Sequence, residues 1–455
     1  MIVLTRLQKT IFLTIVCLTT NVEAANQKPI ANAGEDQYVG FSRDVLLTGI
    51  KSTDIDGEIK TYQWTQIKGT KVVLKNSKTV QATFLSPKKN ESLIFKLTTQ
   101  DNKNASAIDM VTVNVDEQFA QMKTSPLNDT GITFCSDGAF NVNSCNISTY
   151  PRQDGDFGRD VTNNDDKDGH AGFSFTKISA TGEILPLNAK SWSCVKDNVT
   201  GLLWEVKTTQ NANESFPFSE TEPFIKTKNT QKLCGQTNWR LPQIHELQSV
   251  VDYSVPYPSP AIDLAFFLNS TNQIYWSETP YAKNKNDVWG IYFDDGRVYE
   301  QDKKTRAGLL LVSSKQKPSM KNYVVIENGN EVLDTQTGLI WRRCVEGMKW
   351  DGKTCTGYPL GAMLVESLHR ATNEANLTGK NWRLPNIKEL GSLVDMSQPN
   401  LAIDLTIFPN TPNDQMWTSS PYALDAFFGW MVHFYYGASY YSYLEDTGMI
   451  RLVRE

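Results

Sequence analysis

The side chains that could carry chemistry are few and scattered. Histidine occurs only at His170, His245, His369 and His433. The chain holds no Gly-x-Ser-x-Gly nucleophile turn and no His-Glu-x-x-His zinc pair. Carboxylates are densest in Gln153-Asp154-Gly155-Asp156-Phe157-Gly158-Arg159-Asp160 and in Asn164-Asp165-Asp166-Lys167-Asp168-Gly169. Closely spaced Asp and Gly can wrap calcium through hard oxygen ligands. Asp165, Asp166 and Asp168 are therefore the candidate metal ligands, and calcium is the one candidate cofactor. No glutamate closes the stretch as in an EF-hand loop, so a solvated turn is the plainer reading. Asp54 and Asp56 invite the same pair of readings, calcium ligand or turn.

Cysteine usage points to staples. Residues 1–24 read as a secretory signal peptide: Arg6 and Lys9, an apolar run from Ile11 to Leu18, then Val22-Glu23-Ala24 before the cut. That run is too short for a permanent membrane span. Cys17 lies in it, and Val16 before it fits a lipoprotein signal poorly. Cys135, Cys145, Cys194, Cys234, Cys344 and Cys355 remain. An even count on a secreted chain implies disulfides, and proximity favours Cys135–Cys145, Cys194–Cys234 and Cys344–Cys355 among the pairings open to six. Zinc is disfavoured, because no C-x-x-C pair exists.

These residues must be held by a duplicated frame. Asn238-Trp239-Arg240-Leu241-Pro242-Gln243-Ile244-His245-Glu246-Leu247 returns as Asn381-Trp382-Arg383-Leu384-Pro385-Asn386-Ile387-Lys388-Glu389-Leu390. Pro242 and Pro385 suit the first position of a helix. Ile244, Leu247, Val250 and Val251 follow at helical spacing, as do Ile387, Leu390, Leu393 and Val394. Trp239 and Trp382 are expected in the core. Arg240 and Arg383 are expected to pair with Glu246 and Glu389, a structural pairing preferred to a catalytic one. The frame extends further. Thr200-Gly201-Leu202-Leu203-Trp204 answers Thr337-Gly338-Leu339-Ile340-Trp341, and Trp276, Tyr281, Trp289 and Phe293 answer Trp417, Tyr422, Trp430 and Phe434.

A chain of 455 residues with a net charge of −5 is multidomain, and its charge argues against a nucleic-acid surface. The expected order is signal peptide 1–24, β-sandwich 28–116, a stapled connector 117–193 partly packed on the next domain, a first repeat 194–313, a linker 314–332 and a second repeat 333–455. Short alternating strands around Val45-Leu46-Leu47, Ile59 to Trp64, Leu93 to Leu97 and Met110 to Val115 predict the sandwich, with Trp64 in its core. Ala33-Gly34-Glu35-Asp36-Gln37, Ser52-Thr53-Asp54-Ile55-Asp56-Gly57 and Tyr62-Gln63-Trp64 resemble the PKD family of immunoglobulin-like domains, which implies an extracellular spacer or interaction module. Each repeat reads as α+β, with a helical pattern at Ala362 to Ala375 in the second. Phe173 to Ile178 alternates like a strand, so part of the connector is expected in the following domain.

Thr-Gly-Leu-x-Trp, Asn-Trp-Arg-Leu-Pro-x-x-x-Glu-Leu and the Trp-Ser or Trp-Thr strand together resemble the Lcl C-terminal domain family, also called DUF1566. The resemblance implies a C-type-lectin-like fold, a Cys344–Cys355 loop and, from the namesake member, a secreted bacterial adhesin that binds sulfated polysaccharide. Both repeats here carry a slight acidic excess, whereas a polyanion surface is locally basic. Neutral sugars or protein partners therefore stay open. Leu310 and Ser313 of the first repeat stand where the second has Arg451 and Arg454, which marks the first unit as a candidate degenerate copy.

Binding is expected on the second repeat. Phe427 to Tyr443 is dense in aromatics. Trp430, Val432 and Phe434 match Trp289, Ile291 and Phe293 and are assigned to the core face. Met431, His433 and Tyr435 should then point the other way. His433, Tyr435, Tyr436, Tyr441 and Tyr443 lack aromatic counterparts or face outward, so they are the candidate ligand contacts, with Gln398 and Asn400 as an alternative calcium or sugar loop. The competing reading packs these rings against the first repeat or another subunit. The expectation is adhesion or glycan recognition without catalysis, with a polysaccharide or cell-surface protein as partner and homo-oligomerisation open. The rivals are a structural subunit of a surface assembly and an enzyme on a formylglycine-generating-like fold.

Overall fold

Alternation along the first strands dictates a two-layer sandwich. In the computed structural model the described residues are 26–34, 36–117, 119, 127–162, 166–314 and 323–455. The expected leader, Asp165 and residues 315–322 of the expected linker lie outside them. The chain divides into two units, 1–120 and 121–455. In the first, β1 (Gln37–Val39), β3 (Ile59–Lys68), β5 (Glu91–Asp101) and β6 (Ser106–Val115) form one sheet in the order β1-β6-β5-β3. The facing layer pairs β2 (Asp44–Thr48) with β4 (Gln81–Leu85). Leu47, Phe84, Phe95, Leu97 and Val113 close around Trp64, which is buried as expected.

The second unit begins with a stapled hairpin, β7 (Cys135–Ser136) and β8 (Asn141–Val142), and a short helix α1 (Arg159–Thr162). Strand β9 (Phe175–Ile178) then pairs with β10 (Cys194–Asp197), so this part of the connector joins the first repeat's sheet. With β11 (Leu203–Glu205) and β15 (Val312–Ser313) it makes the order β15-β11-β10-β9. The second repeat does the same with β16 (Tyr323–Ile326), β17 (Glu331–Asp334), β18 (Ile340–Arg342) and β26 (Val453–Arg454). Strand β16 corrects the expected linker 314–332. Its run Tyr323-Val324-Val325-Ile326 is aromatic and β-branched and supplies an edge strand.

Between these sheets each repeat has a longer and a shorter helix: α2 (Thr221–Gln231) and α3 (Ile244–Ser249) in the first, α4 (Leu364–Thr378) and α5 (Ile387–Ser392) in the second. In α4, Leu364, Leu368, Ala371 and Ala375 recur on one buried face, and Gly379 ends the helix in the left-handed region at φ 68°. The short helices start later than the prolines suggest. Glu246 accepts the Gln243 N–H at 2.8 Å and Glu389 accepts the Asn386 N–H at 2.8 Å, so the cap is the residue after the proline.

The hairpin strands β12 (Ile274–Pro280), β13 (Asp287–Tyr292) and β14 (Val298–Asp302) join β22 (Gln415–Pro421), β23 (Phe428–His433) and β24 (Ala438–Tyr443) in one eight-stranded sheet. Its order is β12-β13-β14-β24-β23-β22-β25-β21, where β25 is Gly448–Met449 and β21 is Gly361–Ala362. The remaining pair, β19 (Met348–Trp350) and β20 (Cys355–Gly357), is a small hairpin. One core runs through both repeats, joining Trp204, Leu247, Trp289 and Phe293 to Trp341, Leu390, Trp430 and Phe434. The repeats therefore share one interior.

Candidate functional site

The repeated Arg and Glu prove structural. Arg240 grips Glu246 through two bonds of 2.7 Å, and Arg383 grips Glu389 with the same two distances. The same glutamates cap their helices, so one carboxylate fixes both the helix start and the bridging arginine before it. Trp239 and Trp382 are buried. All three expected disulfides are present, Cys135–Cys145, Cys194–Cys234 and Cys344–Cys355. Among the described residues no cysteine is left as a free thiol.

Arg451 and Arg454 are buried too, which corrects the reading of the first repeat as a degenerate copy. Arg451 donates to the carbonyls of Arg342 and Arg343 at 3.0 and 2.7 Å and to Thr411 Oγ1 at 2.8 Å. Arg454 pairs with buried Glu331 at 2.8 Å. At the matching places Leu310 enters the shared core, and Ser313 Oγ donates to Asn238 Oδ1 at 2.8 Å. Strand β15 pairs with β11 as β26 pairs with β18. The first repeat keeps the frame with apolar and neutral contacts in place of internal arginine braces.

The candidate metal ligands serve turns. Asp166 accepts the Ala171 N–H at 2.9 Å and Asp168 accepts the Ser174 hydroxyl at 2.6 Å. Among the described residues no three His, Cys, Asp or Glu side chains gather as a metal-binding group. Gln398 and Asn400 sit on an exposed turn, with Gln398 donating to Asp395 at 3.2 Å. The motif reading passed over Gly347-Met348-Lys349-Trp350-Asp351-Gly352-Lys353-Thr354, which spells the letters of a phosphate loop. Here the segment is the β19–β20 hairpin closed by Cys344–Cys355, with no helix behind it, and Asp351 occupies the Lys353 and Thr354 N–H groups at 2.8 Å. A phosphate cradle is excluded, because those amides already have a carboxylate.

The aromatic candidates separate into two groups. Trp430, Val432 and Phe434 are buried on the core face as expected, but Met431 is buried as well. The opposite sheet face is thus covered at that strand; Met431 Cε and the Trp417 ring close over Gly448. Tyr441 belongs to the core margin, a correction to its expected exposure. It stacks on Tyr422 at 4.0 Å and meets Trp430 and Phe428 edge-on at 5.8 and 5.5 Å. The register explains this, since Tyr441 pairs across the strands with Trp430 and shares its face.

Tyr443 is 59% exposed beside Phe428 at 4.3 Å, and Phe427 and Leu424 are 54% and 53% exposed. The connector hairpin docks on the same rim. Ser136 Oγ donates to Ala426 O at 2.8 Å, and Asn141 Nδ2 reaches Tyr422 O at 3.0 Å. Phe140 at its tip is exposed. The matching first-repeat residues are all polar: Lys283 for Leu424, Asn286 for Phe427, Asp287 for Phe428, Glu300 for Tyr441 and Asp302 for Tyr443. Sequence comparison within the aromatic stretch could have found Leu424 by this same alignment, and missed it because leucine is not aromatic.

A second group forms around the β23–β24 turn. Lys283 Nζ lies 3.3 Å over the Tyr435 ring and donates to Tyr435 O at 2.7 Å. Tyr435 meets Tyr436 edge-on at 4.9 Å, and Tyr436 meets His433 at 4.8 Å. Burial holds the His433 imidazolium below its ordinary range, so the ring is neutral near pH 7. Tyr436 is exposed and Tyr435 half-buried. The arrangement offers ring faces, hydroxyls and one cation, and no nucleophile poised beside a base.

Comparison with known proteins agrees with this architecture. The Lcl C-terminal domain model matches residues 193–313 and 330–454, and a PKD domain model matches 33–115. No curated protein matches the chain. Among solved structures, a nucleoside hydrolase-related protein from Saccharophagus degradans shows 24% identity over 20% of this chain and 26% of its own, with a TM-score of 0.19. The PKD domain of the KIAA 1837 protein shows 28% identity over 21% and 92%, with a TM-score of 0.18. The PKD1 domain of Vibrio anguillarum Epp shows 25% over 20% and 98%, with a TM-score of 0.17. With its two copies spanning more than half the sequence, the chain belongs to the Lcl C-terminal domain family.

Proposed function

We propose that this protein is a secreted or surface-exposed recognition protein that binds neutral glycans without catalysis, through a second repeat of C-type-lectin-like fold. The observation that carries the reading is the rim of Leu424, Phe427 and Tyr443, exposed apolar or aromatic side chains where the first repeat has the polar Lys283, Asn286 and Asp302. The fold does not need rings there, because the first repeat builds the same hairpins without them. Exposed rings suit the apolar faces of sugars, and tyrosine adds a hydroxyl. The acidic balance of both repeats supports a neutral ligand over a polyanion. Three disulfides and the PKD domain support an extracellular setting, and no helix among the described residues is long and apolar enough to cross a membrane. One ring–sugar contact is weak, so binding draws on several rings or several copies.

The test is a glycan array with the purified chain beside a Phe427→Ser/Tyr443→Ser variant. Hits on neutral polysaccharides that the variant loses are expected. Silence of the parent chain, or equal binding by both, would sink the proposal. A second reading, as a structural subunit of a surface assembly, draws on Phe140, Leu424 and Phe427, which offer the rim no polar side-chain atom. Stable oligomers that Phe427→Ser dissolves would favour it.

A further inference from the structure

The rings of the β23–β24 turn lie apart from the rim, and they sit against the first repeat. Tyr435-Tyr436-Gly437 stands where the first repeat has Asp294-Asp295-Gly296. Lys283, the first repeat's counterpart of Leu424, lies 3.3 Å over the Tyr435 ring and 5.0 Å from that of Tyr436. At the opposite end of the β14–β24 junction the roles are exchanged. There Arg297, which follows the first repeat's turn, lies 5.6 Å over the Tyr441 ring of the second repeat. Each end of the junction thus joins the turn of one repeat to the rim of the other. Each also carries an exposed ring, Tyr443 at one end and Tyr436, 47% exposed, at the other.

The turn closes equally well without a ring. Gly437 N–H donates to His433 O at 2.7 Å, and Gly296 N–H donates to Tyr292 O at the same distance. In the first repeat Asp295 is buried there and pairs with Arg297 at 2.6 Å. Donors surround the Tyr436 ring. His433 Nδ1 accepts the Tyr435 N–H at 3.2 Å, so the neutral imidazole carries its proton on Nε2 and can donate from it. Lys283 spends one of its three N–H groups on Tyr435 O at 2.7 Å. Burial pushes its ammonium down and Glu300 nearby opposes that, so this cation already has a carboxylate to balance it.

We propose that Tyr436, with Lys283 and His433 beside it, is a second site for a neutral sugar, so that one chain holds glycan at both ends of the β14–β24 junction. The inference rests on the glycan-binding reading of the rim. A pyranose offers an apolar face of C–H groups to the ring and hydroxyls to the donors around it. A balanced cation gives no preference for an anionic sugar. The first repeat, polar at its own rim, then takes part in binding by supplying Lys283 to the second repeat's ring. Two weak sites held at a fixed separation bind a long polysaccharide more tightly than either does alone.

The test runs the full chain through native gels cast with dextran, starch, xyloglucan or galactomannan and measures how far each polysaccharide slows it. In a gel that slows the parent, Tyr436→Ser should weaken binding by at least about tenfold, as loss of one of two linked sites does. Phe427→Ser/Tyr443→Ser should do the same, and the three changes together should abolish retardation. Tyr436→Ser should leave the melting temperature nearly unchanged. Tyr436→Asp, which installs the first repeat's own residue, should also weaken binding and serves if Tyr436→Ser fails to fold. Tyr436→Trp keeps a ring and should bind as the parent does. If the Tyr436 variants are slowed like the parent while Phe427→Ser/Tyr443→Ser runs free, the second site is overturned and the rim stands. A parent slowed in none of these gels overturns both. Loss of self-association in place of retardation, read by sedimentation of Tyr436→Ser, would assign the ring to a second copy of the chain and likewise overturn the site.

Discussion

Val298 and Ser439 occupy the same place in their repeats, nine residues beyond Trp289 and Trp430, and they pair with each other where β14 meets β24. A residue that pairs with its own counterpart marks a two-fold axis, as in an isologous dimer interface. The helices obey the same relation. Gln248 packs at the position of Gly391, its own counterpart, where a Cβ would stand 3.2 Å from Gln248 Oε1. His245 Nε2 meets Val394 O at 3.1 Å while Lys388 Nζ, its counterpart, meets Ser249 O at 2.9 Å, two residues before Val251, the counterpart of Val394. The two repeats form an internal dimer.

Unit 121–455 should therefore unfold in one step. Gly391→Leu overfills the seam and should cost about 1–3 kcal/mol, lowering a single transition in calorimetry. Two transitions, one of them untouched by the substitution, would mean that the repeats are independent.

Trp382→Ala should destabilise the second unit by about 3–5 kcal/mol, as large buried aromatic deletions do. Urea unfolding followed by far-ultraviolet circular dichroism measures this. A variant that melts like the parent would place Trp382 outside the core.

The paired Arg–Glu braces should differ in cost. Arg383 is only 4% exposed while Arg240 is 25% exposed. Glu389→Ala leaves a buried guanidinium with only the exposed Glu455 at 3.3 Å and should cost about 3–5 kcal/mol. Glu246→Ala, whose partner reaches water and also lies 3.7 Å from Glu278, should cost clearly less. Equal losses in denaturant titrations would show that burial does not set the difference.

Burial pushes the Lys388 ammonium down to about 7, although Asp129, Asp252, Asp197 and Asp154 nearby favour its charged form. An unfolded lysine titrates near about 10.4. Between these values the unfolded chain holds a proton that the folded chain has lost, so this group adds stability as pH rises from about 7 to about 10. The slope is at most about 1.4 kcal/mol per pH unit. Stability curves of the parent and of Lys388→Met should diverge over that window and run parallel below it. Parallel curves throughout would refute the depressed value.

Tyr441 and Tyr443 should respond differently. Tyr441→Ser removes a stacked ring from the core margin and should lower the melting temperature by several degrees, about 1–3 kcal/mol. Tyr443→Ser should leave the melting temperature within a degree or so while reducing glycan binding. Thermal melts and the array read both effects from one pair of proteins.

Much of this protein was legible from sequence because the evidence is local or repeated. The decapeptide named its own helix, its buried tryptophan and its Arg–Glu brace, since all three partners lie within eight residues. Cys135–Cys145 and Cys344–Cys355 close short loops, which proximity alone can suggest. The sandwich strands show in their period-two alternation, with Trp64 among them. The tertiary structure decided what depends on distant partners. The β14–β24 pairing has no local signal, so the shared core and the two-fold seam were invisible. In sequence Arg451 is only a charge that the first repeat lacks, because only folding brings Arg342 O, Arg343 O and Thr411 around it. Tyr441 and Tyr443 read alike in sequence and lie on one strand face. What separates them is position along the strand, beside Trp430 and Tyr422 or at the exposed end beside Phe428. Alternation assigns a face to each side chain, but what covers that face is set by packing from elsewhere in the chain.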